Sequence, residues 1–504
     1  MLRKIRIAVA LFCFVGVTLL FLDFTGTLHA WLGWLAEIQF LPAVLAVNAG
    51  VVAALVVLTL LFGRVYCSVV CPLGVMQDLF ARMGRRQKKN RYAYSPALTW
   101  LRYGVLALFV VLLVANMAAL AALVAPYSAY GRIAQNLLAP LYAWGNNLLA
   151  LAAERADSYA FYTTEVWMKG AAAFAVAVVT LVVVGTLAWR NGRTWCNTIC
   201  PVGSVLGLLS KYSLFRPVID PAKCTGCKLC ARNCKAACID VEHHAIDHNR
   251  CVVCLDCIDK CRQGAIVYER RRKSDPAACA EPGTRLRAGA EAGEPADRSR
   301  RRFLGVAGLF VYAAARAQEK KVDGGLAVLE RKRVPERTTP LVPAGAQGIR
   351  HFTTHCTGCQ LCVSVCPNGV LRPSGKLMTL MQPEMSYERG HCRPECTKCS
   401  EVCPTNAIQP ISRAEKSSVQ IGHAVWVRAN CVPLTDGVDC GNCARHCPVG
   451  AIRMVSSEPG KADAPKIPAV NEERCIGCGA CEHLCPARPF SAIYVEGHRS
   501  HRTV

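Results

Sequence analysis

Twenty-four of the chain's 31 cysteines fall into six sets of four. Few sequence features restrict a fold so tightly, because each set must curl around a common centre. The sets are Cys224, Cys227, Cys230 and Cys234; Cys251, Cys254, Cys257 and Cys261; Cys356, Cys359, Cys362 and Cys366; Cys392, Cys396, Cys399 and Cys403; Cys431, Cys440, Cys443 and Cys447; and Cys475, Cys478, Cys481 and Cys485. Four follow C-x2-C-x2-C-x3-C, and the other two lengthen only the first gap. In the last four sets the final cysteine precedes a proline, at Pro367, Pro404, Pro448 and Pro486. This is the ligand run of bacterial [4Fe-4S] ferredoxins.

A cubane presents four irons, each of which takes one thiolate. Two-residue gaps let one tight loop offer three sulfurs, and in two-cluster modules the fourth cysteine serves the neighbouring cluster. That rule groups Cys224, Cys227 and Cys230 with Cys261, and Cys251, Cys254 and Cys257 with Cys234. Zinc sites use pairs of C-x2-C set further apart, so the pattern predicts six [4Fe-4S] clusters with these 24 cysteines as ligands. Lys235 and Arg262 stand where the pattern has proline. A cation beside a cluster favours its more negative state, which predicts raised reduction potentials for this pair.

The chain has 504 residues and is 52% hydrophobic, with the apolar excess concentrated in its first 190 residues. Four stretches approach the ~20 residues a bilayer requires, at residues 5–22, 40–62, 101–125 and 170–189. A shorter stretch, Leu137 to Leu151, is interrupted by Pro140, Gly145 and two asparagines, and reads as interfacial or re-entrant. Arg3, Lys4 and Arg6 precede the first stretch, and Arg82, Arg85, Arg86, Lys88, Lys89 and Arg91 follow the second. The loop between them carries Asp23 and Glu37 but no Lys or Arg. This positive-inside asymmetry puts the N-terminus and the segment after the fourth span in the cytoplasm, within a bacterial inner membrane. It also accounts for much of the net charge of +24. No interleaved basic and aromatic patch points to nucleic acid. The first stretch reads as a retained span, since Leu28-His29-Ala30 makes a poor cleavage site.

The second and fourth stretches end in one repeated phrase, Gly63-Arg64-Val65-Tyr66-Cys67-Ser68-Val69-Val70-Cys71-Pro72 and Gly192-Arg193-Thr194-Trp195-Cys196-Asn197-Thr198-Ile199-Cys200-Pro201. Chance rarely repeats such a frame, so the spans read as a duplication. Cys67, Cys71, Cys196 and Cys200 are candidate redox or metal thiols, or part of a docking surface for a cluster domain or quinone. Inert packing beside a helix-ending proline is the alternative. Four spans, two C-x3-C-P motifs and a following two-cluster ferredoxin resemble NapH, the membrane ferredoxin-type quinol dehydrogenase subunit of periplasmic nitrate reductase systems. That resemblance covers residues 1 to about 270. It implies quinol as electron donor and a periplasmic reductase, nitrate reductase-type by resemblance, as acceptor.

Residues 269–298 are rich in Arg, Ala, Glu, Gly and Pro and read as a linker. Ser299-Arg300-Arg301-Arg302-Phe303-Leu304 and the apolar run after it resemble an internal twin-arginine export signal over 299–317. Residues 345–490 resemble NapG, the exported four-cluster partner, in the MauM/NapG/NapH group. In such relatives the first set tends to exchange its fourth ligand with the last, and the second with the third.

The fold class expected is therefore a polytopic α-helical membrane domain (1–214, four spans) followed by α+β ferredoxin-like [4Fe-4S] domains, one two-cluster (215–268, cytoplasmic) and one four-cluster (345–490, periplasmic). No nucleophile triad, phosphate loop, flavin motif or haem-attaching C-x2-C-H occurs, and no quinone ligand emerges; His29 reads as an ordinary interfacial residue. The function expected is electron transfer from the membrane quinol pool to a periplasmic reductase or its electron-accepting subunit. The alternative is an iron–sulfur maturation or regulatory protein that maintains a partner metalloenzyme. Cys13 and Cys279 read as inert, and Cys238 as structural.

Overall fold

The computed structural model describes residues 2–23, 25–86, 92–271, 330, 332–459, 461 and 464–503. The twin-arginine motif, most of the linker and Cys279 lie outside them. The N-terminal part is helical. Two of its helices, Leu2–Leu22 and Ala171–Asn191, are long and apolar enough to cross a membrane by length and composition. At ~1.5 Å per residue each reaches about 31 Å, the thickness of a bilayer's hydrocarbon.

The other two expected spans are corrected. Residues 40–62 divide into Phe40–Leu45 and Ala49–Phe62, and 101–125 into Thr99–Val114 and Ala118–Ala121. Asparagine is part of the cause at both breaks. Asn48 caps the helix that follows, its side chain accepting the Val51 N–H at 3.2 Å, after Val47 has turned to φ 54°. Asn116 itself adopts φ 60°. Asn tolerates this left-handed region better than most residues and competes for backbone bonds. The segment expected to be short and interrupted proves continuous. Helix Pro126–Ile133 runs through a π-turn at Ala134–Leu138 into Ala139–Glu154. The wider turn accommodates Pro140, whose missing N–H leaves no α-helical bond to form.

Among the described residues the cluster-bearing part is built from short helices and five two-stranded antiparallel sheets. Phe215–Ile219 pairs with Ile266–Arg270 and closes the two-cluster domain at its base. In the C-terminal domain Val419–Trp426 pairs with Ile493–Thr503, and Ile452–Ser456 with Lys466–Val470.

The two cluster domains dock at opposite ends of the helices. At one end Arg3 pairs with Asp256 at 2.8 Å, the Leu60 carbonyl accepts the Leu214 N–H, and the Tyr268 hydroxyl donates to the Phe62 carbonyl. At the other, Asn136 donates to Gln360 at 2.8 Å, Lys169 to the Val363 carbonyl, and Lys398 to the Thr25 carbonyl. Gly131 makes this contact possible, because a Cβ there would lie 2.4 Å from the Cys359 carbonyl oxygen.

Candidate iron–sulfur sites and the repeated thiols

In four sets the residue after the second cysteine adopts a left-handed conformation and begins a short helix: Lys228 (φ 56°), Leu255 (61°), Gln360 (67°) and Gly479 (76°). Such a turn aims successive backbone N–H groups into one concavity, suited to a sulfide-rich anion. The two sets with lengthened first gaps depart from it, with Thr397 at φ −109° and Gly441 at −149°. Backbone N–H groups also reach the fourth cysteine of several sets. Ala265 donates to Cys261 at 3.3 Å, Ile408 to Cys403 at 3.5 Å, Ala451 to Cys447 at 3.2 Å and Ala492 to Cys485 at 3.3 Å.

The thiols group by exchange between neighbouring sets. Cys234 lines one cavity together with Cys251, Cys254 and Cys257, a cavity that Cys261 does not line. In the C-terminal domain Cys403 lies within electrostatic reach of Cys356, Cys359 and Cys362, and Cys366 within reach of Cys392 and Cys399. Cys485 approaches Cys431 and Cys443, and Cys447 lines a cavity with Cys475, Cys478 and Cys481. The first set therefore exchanges with the second and the third with the fourth, which corrects the first-with-last order that the family resemblance implied. Among the described residues no three His, Cys, Asp or Glu side chains converge tightly enough for one metal ion. A single tetrahedral ion with ~2.3 Å bonds would draw sulfurs to about 3.8 Å; a cubane, with a separate iron for each thiolate, keeps them wider. The cavities lined by Cys234, Cys251, Cys254 and Cys257 and by Cys447, Cys475, Cys478 and Cys481 suit [4Fe-4S] clusters.

Several functional side chains are invisible in the ligand motifs. Buried Lys416 donates to the Cys392 sulfur at 3.3 Å, to the Arg393 carbonyl at 2.7 Å and to the Cys396 carbonyl, satisfying all three ammonium protons. Lys332 caps the carbonyls of Glu482, His483 and Cys485. Cys238 lies 3.5 Å from the Cys234 sulfur and lines the same cavity, closer to a cluster site than a purely structural residue requires. Lys235 is not a free cation. It pairs with Asp256 at 2.9 Å and Asp78 at 3.5 Å while lying within electrostatic reach of Cys254, and Arg262 is exposed to solvent. His29 contacts Asp23 at 3.5 Å near the end of the first long helix.

The repeated phrase folds the same way twice. Gly63 (φ 74°) and Gly192 (φ 70°) end their helices in a backbone conformation costly for other residues. One helical turn follows, Val65–Val69 or Thr194–Thr198. The proline then opens a new helix, Pro72–Arg86 or Pro201–Ser210. The two copies interlock. Arg64 donates to the Cys196 carbonyl at 3.2 Å, and Arg193 to the Cys67 carbonyl at 2.7 Å. Gly74 and Gly203 leave room for this crossing, since a Cβ would meet Arg193 at 2.6 Å and Arg64 at 2.8 Å respectively. Arg193 also bonds Asp78 at 2.8 Å. Burial alone would raise the Asp78 carboxyl, but Arg193, Lys235 and Arg6 outweigh it and hold it well below the usual carboxylate range.

Comparison with known proteins agrees with this layout. Residues 355–407 and 438–488 match the family described as "4Fe-4S dicluster domain", the first match spanning one exchanging pair of sets and the second all of the other pair but Cys431, and residues 45–91 and 171–219 match "4Fe-4S binding domain". Ferredoxin-type protein NapF of Escherichia coli K12 is 31% identical over 150 residues, 29% of this chain and 81% of NapF. The chain belongs to the ferredoxin-type iron–sulfur proteins. Within this family, the methylamine utilization ferredoxin-type protein MauM of Methylobacillus flagellatus is 31% identical over 172 residues, 32% of this chain and 70% of MauM. MauM of Paracoccus denitrificans is 31% identical over 181 residues, 34% of this chain and 79% of that protein. No solved structure matches. As a ferredoxin-type protein the chain transfers electrons and binds [4Fe-4S] clusters.

Proposed function

We propose that the protein is a membrane-anchored module that accepts electrons from quinol and delivers them to a periplasmic reductase or its electron-accepting subunit. The observation that carries this reading is the docking of two cluster-binding domains at opposite ends of helices that include two of bilayer length. A soluble ferredoxin has no use for such a layer. Bound at the 24 cysteines of the six sets, [4Fe-4S] clusters supply one-electron transfer. The polypeptide's part is to hold those thiols in exchanging pairs, to donate N–H groups to their sulfurs, and to seal the two-cluster domain to the helices. That seal rests on buried ion pairs among Arg3, Arg6, Arg193, Lys235, Asp78 and Asp256. In this reading the two-cluster domain is cytoplasmic and the four-cluster domain periplasmic.

Two measurements test it. Membranes containing the protein should reduce an added periplasmic acceptor with quinol as donor, and membranes lacking it should not. Protease added to spheroplasts should degrade residues 345–490 in the wild type but not after Arg300→Lys and Arg301→Lys. Equal protection in both would put the whole protein on the cytoplasmic side and defeat the periplasmic assignment.

A further inference from the structure

The four repeated thiols sit on the seam between the two halves. Cys67, Cys71, Cys196 and Cys200 are all buried, and every one of the six pairs among them lies within electrostatic reach. No half supplies more than two sulfurs, so any four-thiolate centre here must be built from both. The crossed arginines hold the halves together at this point.

The surroundings are those of an anion. Arg64 and Arg193 are both 0% exposed. Arg193 has Asp78, but among the described residues no carboxylate pairs with Arg64, whose partners are the Asn197 side chain, carbonyl oxygens and the Cys67 sulfur at 3.8 Å. A buried guanidinium without a counter-charge is costly. Four metal-bound thiolates with bridging sulfides would supply that charge. Gln77, fully buried, donates to the Cys196 sulfur at 3.2 Å, and Arg193 approaches the same sulfur at 3.9 Å. Arg64 Nε and Arg193 Nη2 remain without acceptors on these same side chains. Cys71 and Cys200 directly precede the N-termini of Pro72–Arg86 and Pro201–Ser210, where helix dipoles favour negative charge. Cys200 already accepts the Gly203 N–H at 3.4 Å.

The position is equally specific. Arg193 N–H donates to the Lys235 carbonyl at 2.8 Å and Asn197 to the Ala236 carbonyl at 3.3 Å, immediately after Cys234. On the far side, Tyr66 lies within electrostatic reach of Cys67, Cys71 and Cys200, and Tyr127 within reach of Tyr66, Cys359 and Cys403. The thiols thus lie between the cluster site completed by Cys234 and the one completed by Cys403.

We propose that Cys67, Cys71, Cys196 and Cys200 together ligate a seventh iron–sulfur cluster, composite between the two repeats, that relays single electrons between the two cluster domains. Each turnover adds one electron from the Cys251-set cluster and passes one to the Cys356-set cluster, or the reverse, with no bond made or broken. Tyr66 and Tyr127 lie along this path and are not themselves oxidised. The proposal rests on the electron-transfer reading for its role, but its cluster is counted without any turnover.

The test is iron and acid-labile sulfide per chain in anaerobically purified full-length protein, with electron paramagnetic resonance of the reduced state. Wild type should exceed the ~24 iron of six cubanes by two to four. Cys67→Ser/Cys71→Ser, Cys196→Ser/Cys200→Ser and the quadruple variant should all lose that same increment of iron and sulfide together. Unchanged iron in these variants, or zinc in place of the increment, overturns the proposal. Gln77→Leu retains all four thiols and should keep the increment while shifting one resonance; a spectrum identical to wild type overturns it. Loss of quinol-dependent flux with the increment intact would count against the quinol reading and leave the seventh cluster standing.

Discussion

Lys416→Met should lower the reduction potential of one cluster, that held by Cys392, Cys396, Cys399 and Cys366, and leave the others in place. The ammonium of Lys416 lies 3.3 Å from the Cys392 sulfur and is buried. An electron added to the cluster spreads over its irons and sulfides, so the mean charge separation is about 6 Å, and at an effective dielectric constant near 20 the attraction is ~2.8 kcal/mol. For a one-electron couple ~1.4 kcal/mol corresponds to about 59 mV, which puts the loss near 120 mV. Two of the three ammonium protons also hold the Arg393 and Cys396 carbonyls, so methionine frees that loop as well, and Lys416→Arg separates the two effects. Arginine keeps the charge and should retain most of the potential. The assay is a potentiometric titration followed by electron paramagnetic resonance, with iron content as a control for cluster loss. A shift below about 20 mV with full iron content would refute the charge argument, because even an effective dielectric constant near 80 yields ~30 mV at this separation.

The buried ion pair at the seam should be expensive to break from one side. Arg193→Met leaves Asp78 buried with only Lys235 and Arg6, and should cost about 3–5 kcal/mol, whereas adding Asp78→Leu should recover a large part of it. Thermal unfolding of the detergent-solubilised protein reads the difference, and strictly additive losses would contradict the pairing. Ligand exchange predicts that Cys356→Ser and Cys403→Ser perturb the same resonance, while Cys366→Ser perturbs another; the opposite grouping would restore ligation within each set. His501, half-buried on strand Ile493–Thr503 with both ring nitrogens shielded from solvent, is pushed down to about 4, chiefly by burial and then by His498. A depressed histidine favours its neutral form in the fold, so its stabilisation is present above pH ~6.5 and is lost as pH falls toward 4, by up to about 3 kcal/mol. His501→Phe should flatten that part of the pH profile in circular dichroism melts, and an unchanged profile would remove His501 as the cause.

The sequence by itself determined how 24 cysteines fall into six sets with cluster-ligand spacing. Three thiolates of each set come from one loop, so their spacing is a local property. The Gly-Arg-x2-Cys-x3-Cys-Pro repeat was legible for the same reason, since glycine ends one helix and proline starts the next wherever the phrase occurs. What only the tertiary structure decided is where separate loops meet. The fourth cysteine of each set lies beside whichever set folds alongside, and that is the neighbouring set in the chain. Lys416 reaches Cys392 across 24 residues, a separation no ligand motif encodes. Lys235 looked like an unpaired cation because its partners Asp256 and Asp78 lie 21 and 157 residues away in the chain. The four apolar stretches were visible from composition, but hydropathy averages over a window and does not register one asparagine that turns the backbone. Asn48 and Asn116 therefore shortened two expected spans without altering their apolar character. The crossing of Arg64 and Arg193 is the clearest case: two phrases with one shared frame predict two similar turns, and only packing them face to face turns each arginine onto the other's cysteine.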